Sequence, residues 1–336
     1  MELKEVVFNL SNAAALGSVN TASVLAQEII SEYTTPKKLS GLGFYALLSG
    51  KSDYTIMLEA HIDEVGMVVT NVSDDGFLTV SACGGIDVRN LPSCEVVVHS
   101  KSEVKGVFIS TPPHLAKGDT QYTDIKEVKI DTGLGKEAKN IVSVGDFVTF
   151  NTKAESLLGT KFVGKSLDDR IGCAVLLELA KRLSGKKLPV NVLFVFNDAE
   201  ELGLRGARTS AFKLNFNEAV CIDATFGNAP NISNDKTFKL GEGVLIGISP
   251  FLDKEVTKKL QKVAKENGVL FGVEVMSSAT GTNADVISVT KEGAKTALVS
   301  VPVRNMHTAV EVADLLDIEQ TVSLLQNYVL AGGIKE

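Results

Sequence analysis

The sequence predicts an α/β fold in which helices cover both faces of a sheet, with a small β module inserted into it. Three observations support this prediction. Short apolar runs alternate with helical patterns at the two ends of the chain, short β-type runs fill the middle, and 336 residues are enough for about two domains. We assign residues 1–67 and 156–336 to the α/β domain and residues 68–155 to the inserted module.

The amino-terminal part opens with one helix and one strand. Residues 22–32 (ASVLAQEIISE) have the apolar spacing of a helix, and a Gly-marked segment follows them. The stretch YTIMLEAHIDEVGMVVT then alternates strand and turn signals. This order of elements is typical of the beginning of an α/β domain.

The middle of the chain, between about Val68 and Phe150, has a different texture. It contains the runs GFLTVSA, CEVVVHS, KGVFIS and VGDFVTF, separated by Gly, Pro, Ser and Asp, and it has no convincing amphipathic helix. Strands of this length and spacing indicate a small barrel or sandwich. Because the α/β pattern resumes after Gly164, the β module interrupts the α/β domain instead of following it.

The second part of the α/β domain alternates helices and strands up to the end of the chain. We find no internal repeat and no low-complexity tract in it. The predicted elements are helix DDRIGCAVLLELAKRL, strand VNVLFVF, helix GLRGARTSAF, strands EAVCID and GVLIGIS, helix DKEVTKKLQKVAKENG, strands LFGVEVMS and TALVSV, and a helix from about Ala313 to Leu330.

The charge and the segment composition argue against several classes of partner. A formal net charge of −7 is unfavourable for nucleic-acid binding, because Lys and Arg supply most of the affinity for a phosphate backbone. No segment has the length and apolarity needed to span a bilayer, and the start MELKEVVFNL lacks the apolar core of a signal peptide. We therefore expect a cytoplasmic protein with no membrane partner.

The cysteines argue against a thiolate metal site. None of them has C-x-x-C spacing, so neither a zinc knuckle nor a disulfide framework is indicated. We expect reduced and mostly buried thiols at Cys83, Cys94, Cys173 and Cys221.

Two adjacent acids, Glu200 and Glu201, follow the run VNVLFVF, which has the length and the β-branched and aromatic content of a buried strand. In open α/β sheets, ligands bind in the crevice at the carboxyl ends of the strands. The pair is therefore a candidate functional site. The alternative interpretation is a solvated loop.

Two of the four histidines also lie just beyond predicted strands. His61 follows YTIMLEA, and Asp63 is near enough in sequence to accept the second ring N–H of a ligating imidazole. His307 lies beyond the strand in SVPVRNMHT. Taken alone, His61 would be a structural or surface histidine, and we interpret His99 and His114, inside the β module, as structural.

Aspartates extend the set of possible ligands. Asp223 follows the strand EAVCI, and Asp168 and Asp169 open a predicted helix in GKSLDDRIG. An Asp at a helix start is favoured as a cap by the free N–H groups and the helix dipole. The cap interpretation suits Asp169, whereas Asp168 is either a cap or a ligand.

The chemistry of this set favours a pair of metal ions. His, Asp and Glu donors without cysteine suit Zn²⁺ or Co²⁺. Two such ions about 3.5–4 Å apart, bridged by one carboxylate, can hold and deprotonate a water molecule. A pair of this kind needs about five protein ligands and one free base, and the chain supplies that number.

Five ordered motifs carry a resemblance to a known family. AHIDEVG, GKSLDDRIG, the acid pair with GLRGA, the later CID and the closing VPVRNMH resemble the tetrahedral, cobalt- or zinc-activated aminopeptidases. That family includes glutamyl, leucyl and deblocking aminopeptidases, and some members were labelled endoglucanases. The resemblance covers nearly the whole chain, including the β module, and it implies the helix–sheet–helix sandwich of the zinc aminopeptidases with an inserted small β-barrel.

The resemblance also implies a role for each residue of the set. Two ions per subunit would share the carboxylate of Asp168, Glu200 would be the general base, and Asp63 would be a second catalytic residue beside His61. Short peptides with free amino termini would be the substrates, and dimers would assemble into a tetrahedral dodecamer through the β module. The remaining ligands would be His61 and Asp223 for one ion and Glu201 and His307 for the other.

The chain departs from the family pattern at two places near the expected pocket. After the ligand Asp223 it has Ala-Thr-Phe-Gly where Val-Thr-His-Ala is common, and it has Gly-Thr-Asn-Ala at 281–284 in place of Gly-Thr-Asp-Ala. No proposed ligand is lost, so these changes at Phe226 and Asn283 bear on specificity. The preferred amino-terminal residue, the physiological ion and the choice between dimer and dodecamer stay open.

Three other functions compete with this interpretation. A glycosidase also needs two carboxylates but has no need of metal ligands, and a chain without Trp is poor material for a sugar-stacking cleft. A non-catalytic scaffold could keep the fold, but a decayed enzyme would be expected to lose ligands. A carboxypeptidase or dipeptidase with the same α/β core is disfavoured by the ordered motifs and the inserted module.

Overall fold

The computed structural model describes residues 1–39, 42–112, 114–115, 124–233 and 236–335. Within these ranges the chain forms two main units. One is an eight-stranded mixed sheet with helices on both faces, and the other is a closed six-stranded β-barrel. The predicted α/β class with an inserted barrel is therefore confirmed. No helix of the described part is both long enough and apolar enough to cross a membrane.

The helices and strands are numbered here in chain order. The helices are α1 Leu3–Asn12, α2 Thr21–Ser31, α3 Ala138–Ile141, α4 Leu167–Leu183, α5 Arg205–Lys213, α6 Lys254–Glu266, α7 Ala284–Ile287 and α8 Leu315–Leu330. The strands are β1 Ala15–Leu16, β2 Val19–Asn20, β3 Lys37–Lys38, β4 Gly43–Leu48, β5 Thr55–His61, β6 Gly66–Val72, β7 Leu78–Cys83, β8 Glu95–His99, β9 Glu103–Phe108, β10 Ile130–Asp131, β11 Phe147–Phe150, β12 Glu155–Ser156, β13 Lys161–Gly164, β14 Asn191–Asn197, β15 Glu218–Phe226, β16 Val244–Ile248, β17 Phe271–Val275, β18 Lys295–Val303 and β19 Glu311–Asp314.

The large sheet has the order β17-β16-β18-β15-β5-β14-β4-β3. Its centre is parallel, because β15 pairs in parallel with both β18 and β5, and β14 pairs in parallel with β5. Strand β14 is buried over nearly its whole length, as its continuous Val and Phe run predicts for a strand covered on both faces. The carboxyl ends of these four strands therefore meet at one edge of the sheet.

Helices cover both faces of the large sheet. One face packs against α1, α2, α4, α6 and α8 in a single large apolar core. The other face packs against the shorter α5 and α7, whose alanines let them lie close to the strands. This arrangement leaves room on the second face, beside α7, for the cavity described below.

The inserted barrel begins directly after the loop that follows β5. Its strands close in the order β10-β7-β6-β11-β8-β9, and β9 pairs with β10 to complete the circle. The interior is a separate core of aliphatic and Phe side chains. The chain re-enters the α/β part through the small sheet β12-β13-β19.

Several elements were not predicted. Strand β4 lies in the Gly-marked segment, and its mixed burial, near the edge of the sheet, weakens the period-2 signal. Helix α1 has buried residues at Leu3, Val6, Val7 and Leu10 and a capping box between Glu2 and Glu5, so the sequence did contain its signal. The short helix α3 lies within the stretch for which no helix was expected.

Candidate metal centre

Strand geometry brings the candidate residues to one edge of the sheet. His61 is the last residue of β5 and pairs in register with Asn197, the last residue of β14, so Glu200 and Glu201 lie in the turn beside it. Asp223 lies in the neighbouring parallel strand β15. His307 lies beyond the end of β18, and Asp168 enters from the first turn of α4.

Asp168 is at the centre of the cluster. The Nε2 atom of His61 lies 3.2 Å from its Oδ1, and the Nε2 atom of His307 lies 3.2 Å from its Oδ2. On one side, His61 Nε2 is 3.9 Å from Asp223 Oδ1; on the other, His307 Nε2 is 3.1 Å from Glu201 Oε1. Two groups of three donors therefore share one carboxylate. Asp168 thus points into the cluster and is not used as a simple helix cap.

The donors fit divalent cations by type and by spacing. One donor atom each of His61, Asp168 and Glu201 lies within 4.8 Å of the other two. A tetrahedral cation with bonds of about 2.0–2.2 Å holds neighbouring ligand atoms about 3.4 Å apart, close to the spacings around Asp168. Among the described residues, no Lys or Arg forms an ion pair with the carboxylates of Asp168, Glu201 or Asp223.

Burial and crowding shift the acid–base properties of the cluster. Burial raises the pKa of Glu200 to about 8, and the neighbouring carboxylate of Glu201 adds to the effect while His61 opposes it. Burial also holds the pKa of Asp223 well above its usual range. Burial opposes the charge of His307, but hydrogen bonds to Asp168 and Glu201 raise the pKa of that imidazole to about 11. The cluster therefore holds an excess of closely spaced carboxylates that a cation would relieve.

Asp63 connects three members of the cluster. Its Oδ1 accepts the backbone N–H of Glu200 at 3.0 Å, and its Oδ2 accepts the backbone N–H of Glu201 at 3.1 Å. The Nδ1 atom of His61 lies 3.4 Å from Asp63 Oδ1. Asp63 is therefore near the imidazole, as expected, and it also fixes the turn that carries both glutamates, which the sequence did not indicate.

Asp169 and Glu311 are further buried supports. Asp169 caps the helix by accepting the N–H of Gly172 at 3.0 Å, and its second oxygen accepts the N–H of His61 at 3.2 Å. Glu311 accepts the N–H of His307 at 2.8 Å and the N–H of Asp168 at 3.2 Å. Sequence reasoning missed Glu311, because a single acid in a short strand has no distinguishing pattern.

Left-handed backbone conformations occur in the turns that carry the cluster. The φ angles are +54° at Ser166, +59° at Ala199 and +63° at His307, although none of these residues is Gly. Each such conformation costs on the order of 1–3 kcal/mol and persists only where the surroundings enforce it. Strain of this kind at three separate turns around one cluster is typical of a functional site.

A buried ion cluster lies beneath the site. Glu64 accepts hydrogen bonds from Lys165 at 2.6 Å and from Ser166 at 2.5 Å through one oxygen, and from Arg170 at 3.0 Å through the other. Burial opposes ionisation of Glu64, but the two cations lower its pKa below the usual value. This cluster joins the loop after β5 to the loop before α4, and thus two of the segments that carry site residues.

A cavity of about 420 Å³ opens beside the cluster. Ala224, Thr225 and Phe226 line it, whereas Asn283 is 1% exposed and donates from Nδ2 to Glu59 Oε1 at 2.7 Å. Asn283 therefore acts behind the cavity wall. Among the residues that complete the lining are Glu274, Met276, Thr280, Gly281, Thr282, Leu298, Ser300 and Met306.

The remaining histidines and the cysteines lie apart from the cluster. His99 bonds through Nε2 to Thr149 Oγ1 at 2.8 Å in the barrel, and His114 is exposed. All four cysteines are free; two are buried and two are partly buried.

The sequence matches a known protein family and a named relative. The profile of the M42 glutamyl aminopeptidase family matches residues 43–324. The chain is 30% identical over 310 residues to the lysyl aminopeptidase of Pyrococcus furiosus, covering 89% of this chain and 88% of that protein.

Solved structures resemble the chain over nearly its full length. The TET aminopeptidase of the marine sediment archaeon Thaumarchaeota archaeon SCGC AB-539-E09 superposes with a TM-score of 0.92 at 26% identity, covering 99% of this chain and 97% of that one. The Pyrococcus horikoshii TET1 peptidase, which can assemble into a tetrahedron or a large octahedral shell, superposes with a TM-score of 0.87 at 27% identity, covering 98% and 99%.

Fold, donor cluster and relatives together define a hydrolase that acts on peptides. The chain belongs to the M42 glutamyl aminopeptidase family. The predicted family and the aminopeptidase class are thereby confirmed, and this family is metal-dependent.

Proposed function

We propose that this chain is a two-metal aminopeptidase that removes amino-terminal residues from short peptides with a free amino end. The observation that carries the proposal is the sharing of Asp168 between His61 on one side and His307 on the other, at 3.2 Å in both cases. A single carboxylate between two imidazoles is the arrangement that a bridging ligand requires. The carboxylates of Asp223 and Glu201, one on each side of Asp168, support a resident pair of Zn²⁺ or Co²⁺ ions.

The ligands divide into two groups around the bridge. His61 and Asp223 would complete the first site with Asp168, and Glu201 and His307 would complete the second. When bound, the cations would polarise the scissile carbonyl and make the attacking water more acidic. Asp63, Asp169 and Glu311 would hold the backbone of the ligands in place.

Glu200 would be the general base. It lines the same cavity as the proposed ligands, where a general base must lie to reach the attacking water. Its carboxylate would take the proton from the attacking water and pass it to the leaving amine. Glu201 would hold an ion while Glu200 would move the proton, so the two adjacent acids would have separate tasks.

We further propose that the chain assembles through its inserted domain, which we place at 68–155, into dimers and then a tetrahedral dodecamer. The shells formed by the Pyrococcus horikoshii relative support this proposal. So do the large apolar side chains that the inserted barrel exposes to solvent, namely Phe77, Val107, Ile109 and Val144.

The free cysteines are consistent with a reducing, cytoplasmic location.

The experiment that tests these roles separates the two adjacent acids. Glu200→Gln should keep both ions and still bind substrate, but lose about 10²- to 10⁴-fold in turnover, the usual scale of general acid–base catalysis. Glu201→Gln replaces a charged ligand with a weaker neutral one, so its activity should partly recover as Co²⁺ is raised. Metal content by elemental analysis and turnover across a Co²⁺ titration are measured for both variants.

The outcomes distinguish the assignments. Rescue of Glu200→Gln by added metal would mean that the two roles are exchanged. Near-normal turnover in both variants would remove both residues from the reaction.

A further inference from the structure

The cavity beside the donor cluster has a carboxylate in its wall that the proposed chemistry does not use. Glu274 lies in β17, in register with Gly247 of β16. The Thr225 hydroxyl donates to Glu274 Oε1 at 2.5 Å. Glu274 therefore reaches across the sheet face to the strand that carries Asp223.

One oxygen of this carboxylate is left unsatisfied. Glu274 Oε2 is buried and has no hydrogen-bond partner among the described residues. Burial raises the pKa of Glu274, and the nearby hydroxyls of Thr225 and Ser300 oppose that rise. No Lys or Arg of the described part forms an ion pair with Glu274. A buried acceptor without a partner is costly unless a ligand supplies the missing donor.

The position of Glu274 fits the side chain of a bound amino-terminal residue. Ser300 pairs in register with Asp223, and Thr225 lies two residues beyond Asp223, roughly 7 Å along the strand. The carboxylate of Glu274 is therefore offset from the donor cluster by a distance that suits a side chain with a four-carbon stem and a terminal cation.

The cavity between the two ends is mainly apolar. Its lining includes the side chains of Phe226, Met276, Leu298 and Met306. Lysine and arginine bury their methylene stems against surfaces of this kind while the charged head reaches a polar partner. The wall thus forms an apolar passage beside a partly buried carboxylate.

We propose that this cavity receives the side chain of the amino-terminal residue and that Glu274 selects lysine or arginine. The inference rests on the proposed aminopeptidase function of the adjacent cluster. A glutamate side chain would bring two carboxylates together in a buried site. A leucine side chain would fill the apolar passage but leave Glu274 Oε2 without a partner.

The first test compares chromogenic Lys, Leu and Glu substrates on the metal-loaded, assembled protein. The wild type should have a higher kcat/KM for Lys than for Leu or Glu. Glu274→Gln should reduce the Lys-to-Leu ratio of kcat/KM by about 10- to 100-fold, the range expected from losing a hydrogen bond to a charged group. Glu274→Lys should turn the preference toward Glu. Glu242→Gln, a substitution at an exposed glutamate, is the matched control and should leave every ratio unchanged.

The second test measures binding without turnover. L-Lysine and L-norleucine have the same carbon stem and differ by the terminal ammonium. L-Lysine should compete more tightly than L-norleucine in the wild type, and the difference should disappear in Glu274→Gln.

The results separate this inference from the proposed function. Cleavage of Leu or Glu substrates in preference to Lys, or equal binding of the two competitors, would overturn the selection by Glu274 and leave the aminopeptidase function intact. Failure to cleave every aminoacyl substrate with Zn²⁺ and with Co²⁺ would overturn both.

Discussion

At the scale of single residues, a second acid holds the backbone of four of the five proposed ligands. The backbone N–H groups of Glu200 and Glu201 both donate to Asp63, and that of His307 donates to Glu311. These bonds fix the turns in conformations that the local sequence does not favour, such as the left-handed φ of His307. The position of a donor atom therefore depends on residues that never touch the reacting groups.

Asp63→Asn tests this dependence. The amide can accept only one of the two N–H bonds, so the turn carrying the glutamates should loosen and His61 should lose its charged neighbour. We expect Co²⁺ or Zn²⁺ affinity to fall by about 10- to 100-fold, the usual cost of removing a group that orients a metal ligand. Calorimetric metal titration of the apo protein measures the change.

The matched control is Asp87→Asn, since Asp87 is a partly exposed aspartate of the barrel that pairs with Arg89. It should keep wild-type metal affinity. Unchanged affinity in Asp63→Asn, with an intact fold by circular dichroism, would contradict the role given to Asp63.

Sequence reasoning predicted the candidate donors that the structure brings together, but not all of the residues that support them. His61 ends a strand, and Glu200, Glu201 and His307 follow strands. Asp223 was expected after its strand but lies inside β15, three residues before the strand ends. Parallel strands bring such positions together. Glu311 and Glu274 lie inside short strands, where only the three-dimensional arrangement shows what their carboxylates face. Their contacts join residues that are distant in sequence or hidden in turns, so no local pattern reveals them.

At the scale of elements, the helices and strands that were predicted agree with the structure to within a few residues, but some elements were not predicted. Strand β4 and helix α1 were missed for different reasons. Strand β4 shows mixed burial, which weakens its period-2 signal, whereas the apolar spacing of α1 is helical and does contain the signal. What the sequence could not indicate is how α1 is attached to the rest of the domain.

Arg170 makes that attachment. Its Nη1 donates to the carbonyl oxygens of Leu10 and Ala13 at the end of α1, at 2.5 and 2.8 Å, and its Nη2 donates to Glu64. Arg170→Met would remove one donor from each of two carbonyl groups and one of the two cations from a buried carboxylate. We expect the free energy of unfolding to fall by about 3–5 kcal/mol, measured by denaturant titration at fixed protein and metal concentrations.

Arg89→Met is the comparison, because Arg89 forms an exposed ion pair with Asp87. Exposed pairs contribute little, so the free energy of unfolding should barely change. Equal stability of the two variants would show that the buried ion cluster does not hold the amino-terminal helix.

At the scale of the whole molecule, the alternation of strands and helices and the change of texture near residue 68 were enough to predict an α/β domain interrupted by a β module. The closure of six strands into a barrel was not decided by the residues alone, since short strands at this spacing also suit a sandwich. Closure depends on the pairing of β9 with β10, strands separated by a long connection.

The barrel also leads to a prediction about assembly. Light scattering with metal present should give a mass that is a multiple of the 35.7 kDa chain. Val107→Asp combined with Val144→Asp should lower that mass by placing charges on the exposed apolar surface of the barrel. Leu158→Asp, outside the barrel and 96% exposed, is the control. A monodisperse monomer of the wild type at micromolar concentration would refute assembly.

The central claim is that the whole molecule is a metal-dependent exopeptidase, and metal removal followed by restoration tests it most directly. After exhaustive chelation, with metal analysis confirming removal, the protein should not cleave an unblocked peptide. Added Co²⁺ or Zn²⁺ should restore release of one residue at a time from the amino end, while an amino-acetylated copy of the peptide stays intact. Full activity of the metal-free protein, or internal cleavage of the blocked peptide, would contradict the claim.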